Sequence, residues 1–223
     1  MPTPEADGMG DEGLAVAGWQ VIRSPTEWIH LRDVVTGYGE RDLLRRFPLV
    51  SAWAEAVRPL AVKALSSSAA VISALWFDKA PETNWRVPWH QDVQAPVAPF
   101  TADGWGPWTD KGGVPHVQLP QPWCSRRIAM RLHLDHCTAE SGPLEIIPGS
   151  HQMGVLSPGG IEAAVAQSSV QSILCAAGDV VLMHPLLLHR SFPARQPLHR
   201  RVIHFEWCDV PLPFGESWLD GRL

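Results

Sequence analysis

The sequence predicts a mostly β fold with α-helices, in which an antiparallel barrel or sandwich is backed by N-terminal helices. Two features of the chain indicate this fold. Between residues 26 and 65 apolar residues recur at helical spacing, whereas from Ala70 onward short apolar runs alternate with Gly, Pro and Asn. A chain of 223 residues with 45% hydrophobic residues can bury one sizeable core. We therefore predict one domain over residues 14–223, preceded by a disordered N-terminus at residues 1–13.

The predicted elements follow in order along the chain. Helices are expected over residues 26–35, 40–47 and 49–65. Strands are expected over residues 70–77, 85–92, 126–135, 142–148, 171–176, 179–189 and 200–208. In the segments that connect these strands, only residues 159–167 have the composition of a helix. Many short strands with so few helices between them favour antiparallel pairing.

Residues 98–123 form an unusually long connection between predicted strands. Loops beyond about 12–15 residues in a compact domain are usually binding loops, lids or disordered segments. This segment carries three tryptophans together with Lys111 and His116, and disordered segments rarely contain so many aromatic residues. We predict an ordered lid loop over a pocket, with a purely structural flap over the barrel end as the alternative.

Charge and cysteine content argue against several classes of protein. A formal net charge of −5 gives no electrostatic reason to expect a nucleic acid or an anionic membrane as partner. No apolar run approaches ~18 residues, and the acidic first residues lack the features of a secretory signal. The four cysteines show no CxxC spacing, so neither a zinc site nor a disulfide framework is indicated. We expect a cytoplasmic protein that binds a small molecule.

The segment NWRVPWHQDVQAPV, residues 84–97, places an imidazole and a carboxylate two positions apart. Side chains at i and i+2 of a strand leave the same face, so His90 and Asp92 could bind one metal ion with little backbone strain. A second pair, His133 and Asp135, makes the pattern ambiguous on its own. Non-haem Fe(II) oxygenases bind iron through two His and one carboxylate, so this chemistry needs a third ligand.

The C-terminal part of the chain offers candidates for that ligand, namely His184, His189, His199 and His204. His184 and His189 are five positions apart, so on a regular strand only one of them can point into a barrel. On the next predicted strand, Arg200, Val202 and His204 share one face. The other face carries Ile203, Phe205 and Trp207, which suits packing against the N-terminal helices. A buried Arg200 is costly unless it meets an anion, and its planar fork suits a carboxylate.

The segments WHQD, LHLDHCTAESGPLEIIPGSH and GDVVLMHPLLLHRS followed by RRVIHFEW, in this order and spacing, resemble the phytanoyl-CoA dioxygenase family of Fe(II)- and 2-oxoglutarate-dependent oxygenases. The resemblance covers roughly residues 70–208. It implies a double-stranded β-helix, which is a jelly-roll or cupin-like barrel. It also implies that the metal ligands are His90, Asp92 and His189 and that Arg200 anchors 2-oxoglutarate. The second pair would then not bind metal, and its carboxylate is expected to order a loop.

The same resemblance implies the cofactors and the reaction. Fe(II), 2-oxoglutarate and O2 would support hydroxylation of a substrate C–H bond, with release of succinate and CO2. A carboxylate ligand at Asp92 argues against halogenation, because halogenating relatives lack it. Desaturation, ring closure and epimerisation stay open, as does the oligomeric state. The chain is short for the family, which favours a free small metabolite over an acyl-CoA as substrate.

Further side chains are predicted to contribute to the site. Arg131 lies two positions before His133 on the same face, and we expect it to contact 2-oxoglutarate or an anionic substrate, unless it pairs with Asp135 or Glu145. The candidate substrate contacts are Trp89, Gln91, Gln94, Lys111, His116 and His204. Two other functions stay open: a catalytically inactive oxygenase-like binding protein, and a cupin-like metal-dependent hydrolase or isomerase. Arg200 argues against the hydrolase, because metal-assisted hydrolysis needs no buried clamp for 2-oxoglutarate.

Overall fold

The computed structural model describes residues 12–23, 34–196 and 198–220 of the chain. Residues 1–11 of the predicted disordered N-terminus lie outside the described residues, as do residues 26–33 of the first predicted helix. The structure shows no helix over residues 34–41, where that first prediction ends and the second begins. No helix of the described ranges is long and apolar enough to cross a lipid bilayer.

The described residues form five α-helices: α1 (Glu12–Ala17), α2 (Leu43–Arg46), α3 (Pro48–Ala64), α4 (Gln121–Cys124) and α5 (Pro158–Gln167). Helix α3 starts where a proline occupies its first turn, and it buries one face along its length. Helix α2 is shorter than predicted, because Asp42 before it adopts a left-handed backbone conformation with φ 60°. Helix α5 is capped by Ser157, whose side chain accepts a hydrogen bond from the backbone N–H of Gly160.

The strands are β1 (Trp19–Ile22), β2 (Ala70–Lys79), β3 (Val87–His90), β4 (Gln94–Pro96), β5 (Trp108–Asp110), β6 (Pro115–Gln118), β7 (Arg127–His133), β8 (Leu144–Ile146), β9 (Gln171–Ile173), β10 (Val180–Met183), β11 (His189–Ser191) and β12 (Arg200–Cys208). Two antiparallel sheets form the barrel, in the orders β1-β10-β7-β12-β2 and β3-β11-β8-β9. A third, smaller sheet has the order β4-β6-β5. The predicted mostly β fold with a jelly-roll barrel is confirmed.

The helical layer packs on the outer face of the five-stranded sheet. Ile203, Phe205 and Trp207 of β12 are fully buried in one apolar cluster with Trp53 and Val57 of α3. This is the packing that the alternation along residues 200–208 predicted. The opposite face of β12 is therefore turned toward the four-stranded sheet, and its polar residues line the barrel interior.

The segment 98–123 differs from the predicted long loop, because it contains β5, β6 and α4. Its aromatic residues pack on one another: the ring centroids of Phe100 and Trp105 are 5.0 Å apart, as are those of Trp105 and Trp123. These contacts and the ladder of the small sheet account for an ordered segment. That it works as a lid stays a prediction.

The predicted strand 179–189 is interrupted. Strand β10 ends at Met183, and β11 begins only at His189, after a turn in which the N–H of Leu187 donates to the carbonyl of His184. Pro185 has no N–H for a continuous ladder. The regular strand expected to carry both His184 and His189 is therefore wrong. Strand β1, which pairs with the edge of β10, was not predicted.

Candidate active site

A cavity of about 480 Å³ lies between the two sheets of the barrel. Strands β2, β7 and β12 supply one wall, and β3, β8 and β11 supply the other. From the inward face of β12, Arg200, His204 and Glu206 reach the cavity. A volume of this order suits a small ligand.

Two histidines and one carboxylate meet on the wall of this cavity. His90 ends β3 and His189 begins β11, and the two residues are direct cross-strand partners whose ring centroids are 4.1 Å apart. The Nε2 atoms of both histidines lie 3.6 Å from carboxylate oxygens of Asp92. One ligand atom from each of the three residues falls within 4.8 Å of the others, which is the spacing expected for donors that share one ion.

Each imidazole is oriented by its own backbone. Nδ1 of His90 lies 2.9 Å from the carbonyl oxygen of Pro88, and Nδ1 of His189 lies 2.9 Å from that of Leu187. A carbonyl can only accept, so both Nδ1 atoms carry the proton and both Nε2 atoms present a lone pair to the cavity. Burial lowers the pKa of His189 to about 4, so its ring is neutral at pH 7.

Asp92 lies beyond the end of β3, so its position does not come from the strand pleat assumed in the sequence analysis. Its N–H donates to the carbonyl of Pro185 at 2.7 Å. Burial alone would raise the pKa of the Asp92 carboxyl, but its proximity to His189 and His90, and also to Arg127, holds that pKa well below its usual range. The carboxylate is therefore ionised and available to a cation.

The side chain of Gln91 anchors the segment after β3 that carries Asp92. Its Nε2 donates to the carbonyls of Gly154 and Leu186, each at 2.8 Å, and its Oε1 accepts from the N–H of Leu156 at 2.8 Å. Gln91 lines the cavity, but its amide is engaged with backbone on three sides. The contacts indicate that Gln91 positions the two residues beside it. Its predicted contact with substrate stays a prediction.

Two guanidinium groups lie in the barrel with few partners. Nη1 of Arg200 donates to the carbonyl of Gly142 at 2.5 Å, and Nη1 of Arg131 donates to Nδ1 of His204 at 3.0 Å. The Nε atoms of both arginines are buried without a hydrogen-bond partner. Burial, together with the charge of Arg200, lowers the pKa of Arg131 to about 10. Two buried cations with unused donors point to an anion between them.

The acids that could have paired with Arg131 are engaged elsewhere. Asp135 binds Arg201 with a shortest contact of 2.8 Å, and Glu145 binds Arg190 at 2.6 Å. The alternative that Arg131 pairs with one of these acids is therefore wrong. The pairing of Asp135 also explains why the second His-x-Asp pattern forms no metal cluster in the described part of the chain.

Lys79 is a third buried cation, which the sequence analysis missed. It is the cross-strand partner of Arg200, and its Nζ donates to Oγ of Ser191 at 3.0 Å and to the carbonyl of Phe192. Burial, with added repulsion from Arg200 and Arg131, lowers the pKa of Lys79 to about 7. The alternation along β2 could have indicated an inward lysine, but the sequence does not show which strand lies beside β12.

The remaining predicted substrate residues divide into two groups. Gln94, Lys111, His116 and His204 line the cavity together with Gln91. Trp89 does not, because it precedes His90 on β3 and points to the other face, where it packs beside Leu188. The predicted place of Trp89 in the pocket was therefore wrong. Burial lowers the pKa of His116 to about 4, so this histidine is neutral.

Three charged residues of the cavity region were not predicted. Glu206 pairs with the fully buried Arg127 at 3.0 Å, and Arg41 reaches the cavity from the segment before α2. His184, an early candidate for the third ligand, instead lies beside His151, with ring centroids 5.1 Å apart. Arg41 and Glu206 are far apart in sequence, so only the folded structure shows that they line the same cavity.

Several solved structures share this architecture. EctD from S. alaskensis, determined with 2-oxoglutarate and 5-hydroxyectoine, superposes with a TM-score of 0.69 at 15% identity, covering 100% of this chain and 86% of EctD. The non-heme alpha-ketoglutarate-dependent carbocyclase SnoK from nogalamycin biosynthesis gives 0.65 at 14% identity, covering 89% and 82%. AviO1 from Streptomyces viridochromogenes Tue57 gives 0.63 at 20% identity, covering 91% and 94%. At such identities the likeness establishes the fold.

The family follows from the sequence itself. No curated protein matches the chain. The sequence model of the phytanoyl-CoA dioxygenase (PhyH) family matches residues 18–202, which is most of the chain and includes His90, Asp92, His189 and Arg200. The chain therefore belongs to the phytanoyl-CoA dioxygenase family.

Proposed function

We propose that this dioxygenase hydroxylates a C–H bond of a small molecule, with Fe(II) bound by His90, Asp92 and His189 and with 2-oxoglutarate held by Arg200 and Arg131. The observation that carries the proposal is the meeting of two imidazole Nε2 atoms and one carboxylate within 4.8 Å. This donor set suits non-haem Fe(II) and leaves coordination positions open. When bound, the metal and its keto-acid co-substrate supply the oxidising chemistry, with release of succinate and CO2.

The residues around the donors orient and protect the site. The backbone carbonyls that bind Nδ1 of His90 and of His189 leave Nε2 of each ring as the nitrogen that would bind the metal. The hydrogen bonds of the Gln91 amide to the backbone hold the adjacent Asp92 in place. Each of the two arginines has an Nε–H without a partner, and a guanidinium can bind both oxygens of a carboxylate through two parallel N–H groups. Phe77 stacks under the Arg131 guanidinium at 5.4 Å, which shields that end of the cavity from water.

The two other functions fit the cavity less well. A metal-dependent hydrolase or isomerase would need the same donors, but it would leave two buried guanidinium groups without an anion. An inactive binding protein would have no need for three donors arranged around one point. We further propose a cytoplasmic location, because the four cysteines of the described chain are buried free thiols, as in a reducing compartment.

An anaerobic titration tests the proposal. Metal-free protein is titrated with Fe(II) and then with 2-oxoglutarate, and the visible metal-to-ligand charge-transfer band is recorded. We expect the band in the wild type and in Asp103→Ala, which removes an exposed carboxylate of the segment 98–123. We expect Asp92→Ala to lose the band through poor retention of iron. Absence of the band in wild-type protein that has bound iron would contradict the proposed function.

A further inference from the structure

The charges of the cavity are out of balance. Its walls carry four cationic side chains, Arg41, Lys111, Arg131 and Arg200, and two carboxylates, Asp92 and Glu206. The charges of Fe(II) and the 2-oxoglutarate dianion cancel each other, so loading the site does not remove the cationic excess. Glu206 is moreover paired with Arg127, which lies behind the cavity wall. A second anion is therefore needed to balance the charges of the loaded cavity.

The four cations form two separate groups. Arg200 and Glu206 lie on the same face of β12, six residues and so about 20 Å apart along the strand. Beyond the effect of burial, the charge of Arg200 lowers the pKa of Arg131, whereas the charge of Arg41 lowers the pKa of Lys111, and Glu206 acts to raise the pKa of both Arg41 and Lys111. Asp92 acts to raise the pKa of Arg131 in the first group and of Arg41 and Lys111 in the second, so the metal donors lie near both groups. The group at Arg200 is the one that the proposed function assigns to 2-oxoglutarate.

The backbone around Arg41 is anchored beside the cavity, and Arg41 has no acidic partner in the described part of the chain. The carbonyls on its N-terminal side, at Tyr38 and Glu40, accept hydrogen bonds from the backbone of β2 at 3.1 and 2.9 Å. Both acids that flank Arg41 are paired away from it. Glu40 binds Arg46 at 2.8 Å, and Asp42 binds Arg45 at 2.6 Å. Among the described residues, no carboxylate lies within ion-pair distance of the half-buried Arg41 guanidinium.

Lys111 is fixed on the hairpin between β5 and β6. Its N–H donates to the carbonyl of Val114 at 3.0 Å, and the neighbouring Asp110 accepts from the N–H of Gly113 at 2.9 Å. Asp110 is therefore occupied with the turn, and no ion pair with Lys111 forms in the described structure. Burial, and next the charge of Arg41, lowers the pKa of Lys111, which is the effect expected when a cation lacks its anion.

We propose that Arg41 and Lys111 bind an oxyanion group of the substrate, so that the enzyme acts on a small molecule bearing a carboxylate or a phosphate. The inference rests on the proposed function, because it assigns the other cation group to 2-oxoglutarate. The planar fork of Arg41 suits two oxygens of one anion, and Lys111 adds a compact charge from the hairpin between β5 and β6. Such an anchor would place the rest of the substrate toward the metal donors.

Calorimetric titration with inorganic phosphate tests the site. The protein is loaded anaerobically with Fe(II) and saturating 2-oxoglutarate, so that the inner cations are occupied. The variants are Arg41→Gln, Lys111→Gln and the double substitution. Arg45→Gln is the matched control, since it removes the same charge four residues from Arg41 but from an exposed side chain. We expect one phosphate site in the wild type and the control, about tenfold weaker in each single variant and lost in the double variant.

Three results would overturn the inference. The first is no saturable phosphate binding in the wild type, and the second is binding in Arg41→Gln and Lys111→Gln equal to that of Arg45→Gln. The third is a dissociation constant for 2-oxoglutarate that rises in the Arg41→Gln and Lys111→Gln variants as much as the dissociation constant for phosphate does. That result would place 2-oxoglutarate itself on Arg41 and Lys111. The charge-transfer band separates the two proposals. Its absence from iron-loaded wild-type protein contradicts the proposed function. Its presence with either of the first two results contradicts only the anion site, whereas the third result also contradicts the assignment of 2-oxoglutarate to Arg200 and Arg131.

Discussion

Arg200 and Arg201 are adjacent on β12 but face opposite sides, and we predict that replacing each by leucine has a different effect. Arg200 points into the cavity, where its Nε is unpartnered and its Nη1 meets one carbonyl. Arg201 makes several hydrogen bonds to the buried carboxylate of Asp135, the shortest at 2.8 Å. The first arginine thus has capacity for a ligand, and the second holds the fold together.

The contacts give the expected magnitudes. A hydrogen bond to a charged group contributes about 1.5–3 kcal/mol, so loss of two from Arg200 to 2-oxoglutarate costs at least about 3 kcal/mol, or about a hundredfold in dissociation constant. The stability of the unloaded protein should change by only about 1 kcal/mol, because an uncompensated buried charge is removed. Arg201→Leu removes the cationic side chain that pairs with the buried carboxylate of Asp135, which should lower the free energy of unfolding by about 3 kcal/mol.

The assay combines two measurements on each variant. Titration of the charge-transfer band gives the dissociation constant for 2-oxoglutarate, and denaturant unfolding of the metal-free protein gives the free energy of unfolding. Arg200→Leu should change mainly the first, and Arg201→Leu mainly the second. Wild-type affinity for 2-oxoglutarate in Arg200→Leu would refute the reasoning, as would an equal loss of that affinity in Arg201→Leu.

Three further substitutions test the framework of the site. Gln91→Leu removes three buried hydrogen bonds and should lower the free energy of unfolding by about 3 kcal/mol, with weaker Fe(II) retention; unchanged stability in denaturant unfolding would contradict this role. Lys79 has its pKa lowered to about 7 in the fold, so the unfolded chain binds more protons above pH 7 and stability should rise between about pH 7 and 10.5, by up to about 4 kcal/mol. Lys79→Met should flatten that profile, and parallel profiles of the two proteins would exclude this cause. Gly142→Ala brings a Cβ to 2.4 Å from the carbonyl oxygen of Phe192 at a φ of +65° and should destabilise by about 2 kcal/mol or more. Gly159→Ala, with open space around its Cβ, is the control for thermal unfolding.

The predictions from sequence succeeded where local periodicity decides the structure. Alternation along residues 200–208 placed Ile203, Phe205 and Trp207 against the helices and Arg200 inward, because burial of one face fixes the register of a strand. The fold class followed from the same reasoning together with the family resemblance. The choice between the two His-x-Asp patterns came from the resemblance, since spacing alone treats both alike.

The rest depends on contacts between residues distant in the chain. No local pattern shows that Asp135 meets Arg201 or that Lys79 lies opposite Arg200, because strand order in the sheet is set by the whole fold. The break after β10 was missed because one proline in an apolar run can also sit at a strand edge. Arg41 was not identified because the apolar spacing of residues 40–47 predicted a helix there, and nothing local indicates that this segment reaches the cavity.

The cationic excess of the cavity has a kinetic consequence, since the chain as a whole carries a formal charge of −5. An approaching anion meets a repelling surface first and an attracting interior only within about one Debye length, roughly 8–10 Å at physiological ionic strength. Added salt screens the outer repulsion more than the buried attraction. Association of anionic ligands should therefore lose less speed with rising ionic strength than steering by an exposed basic patch would predict.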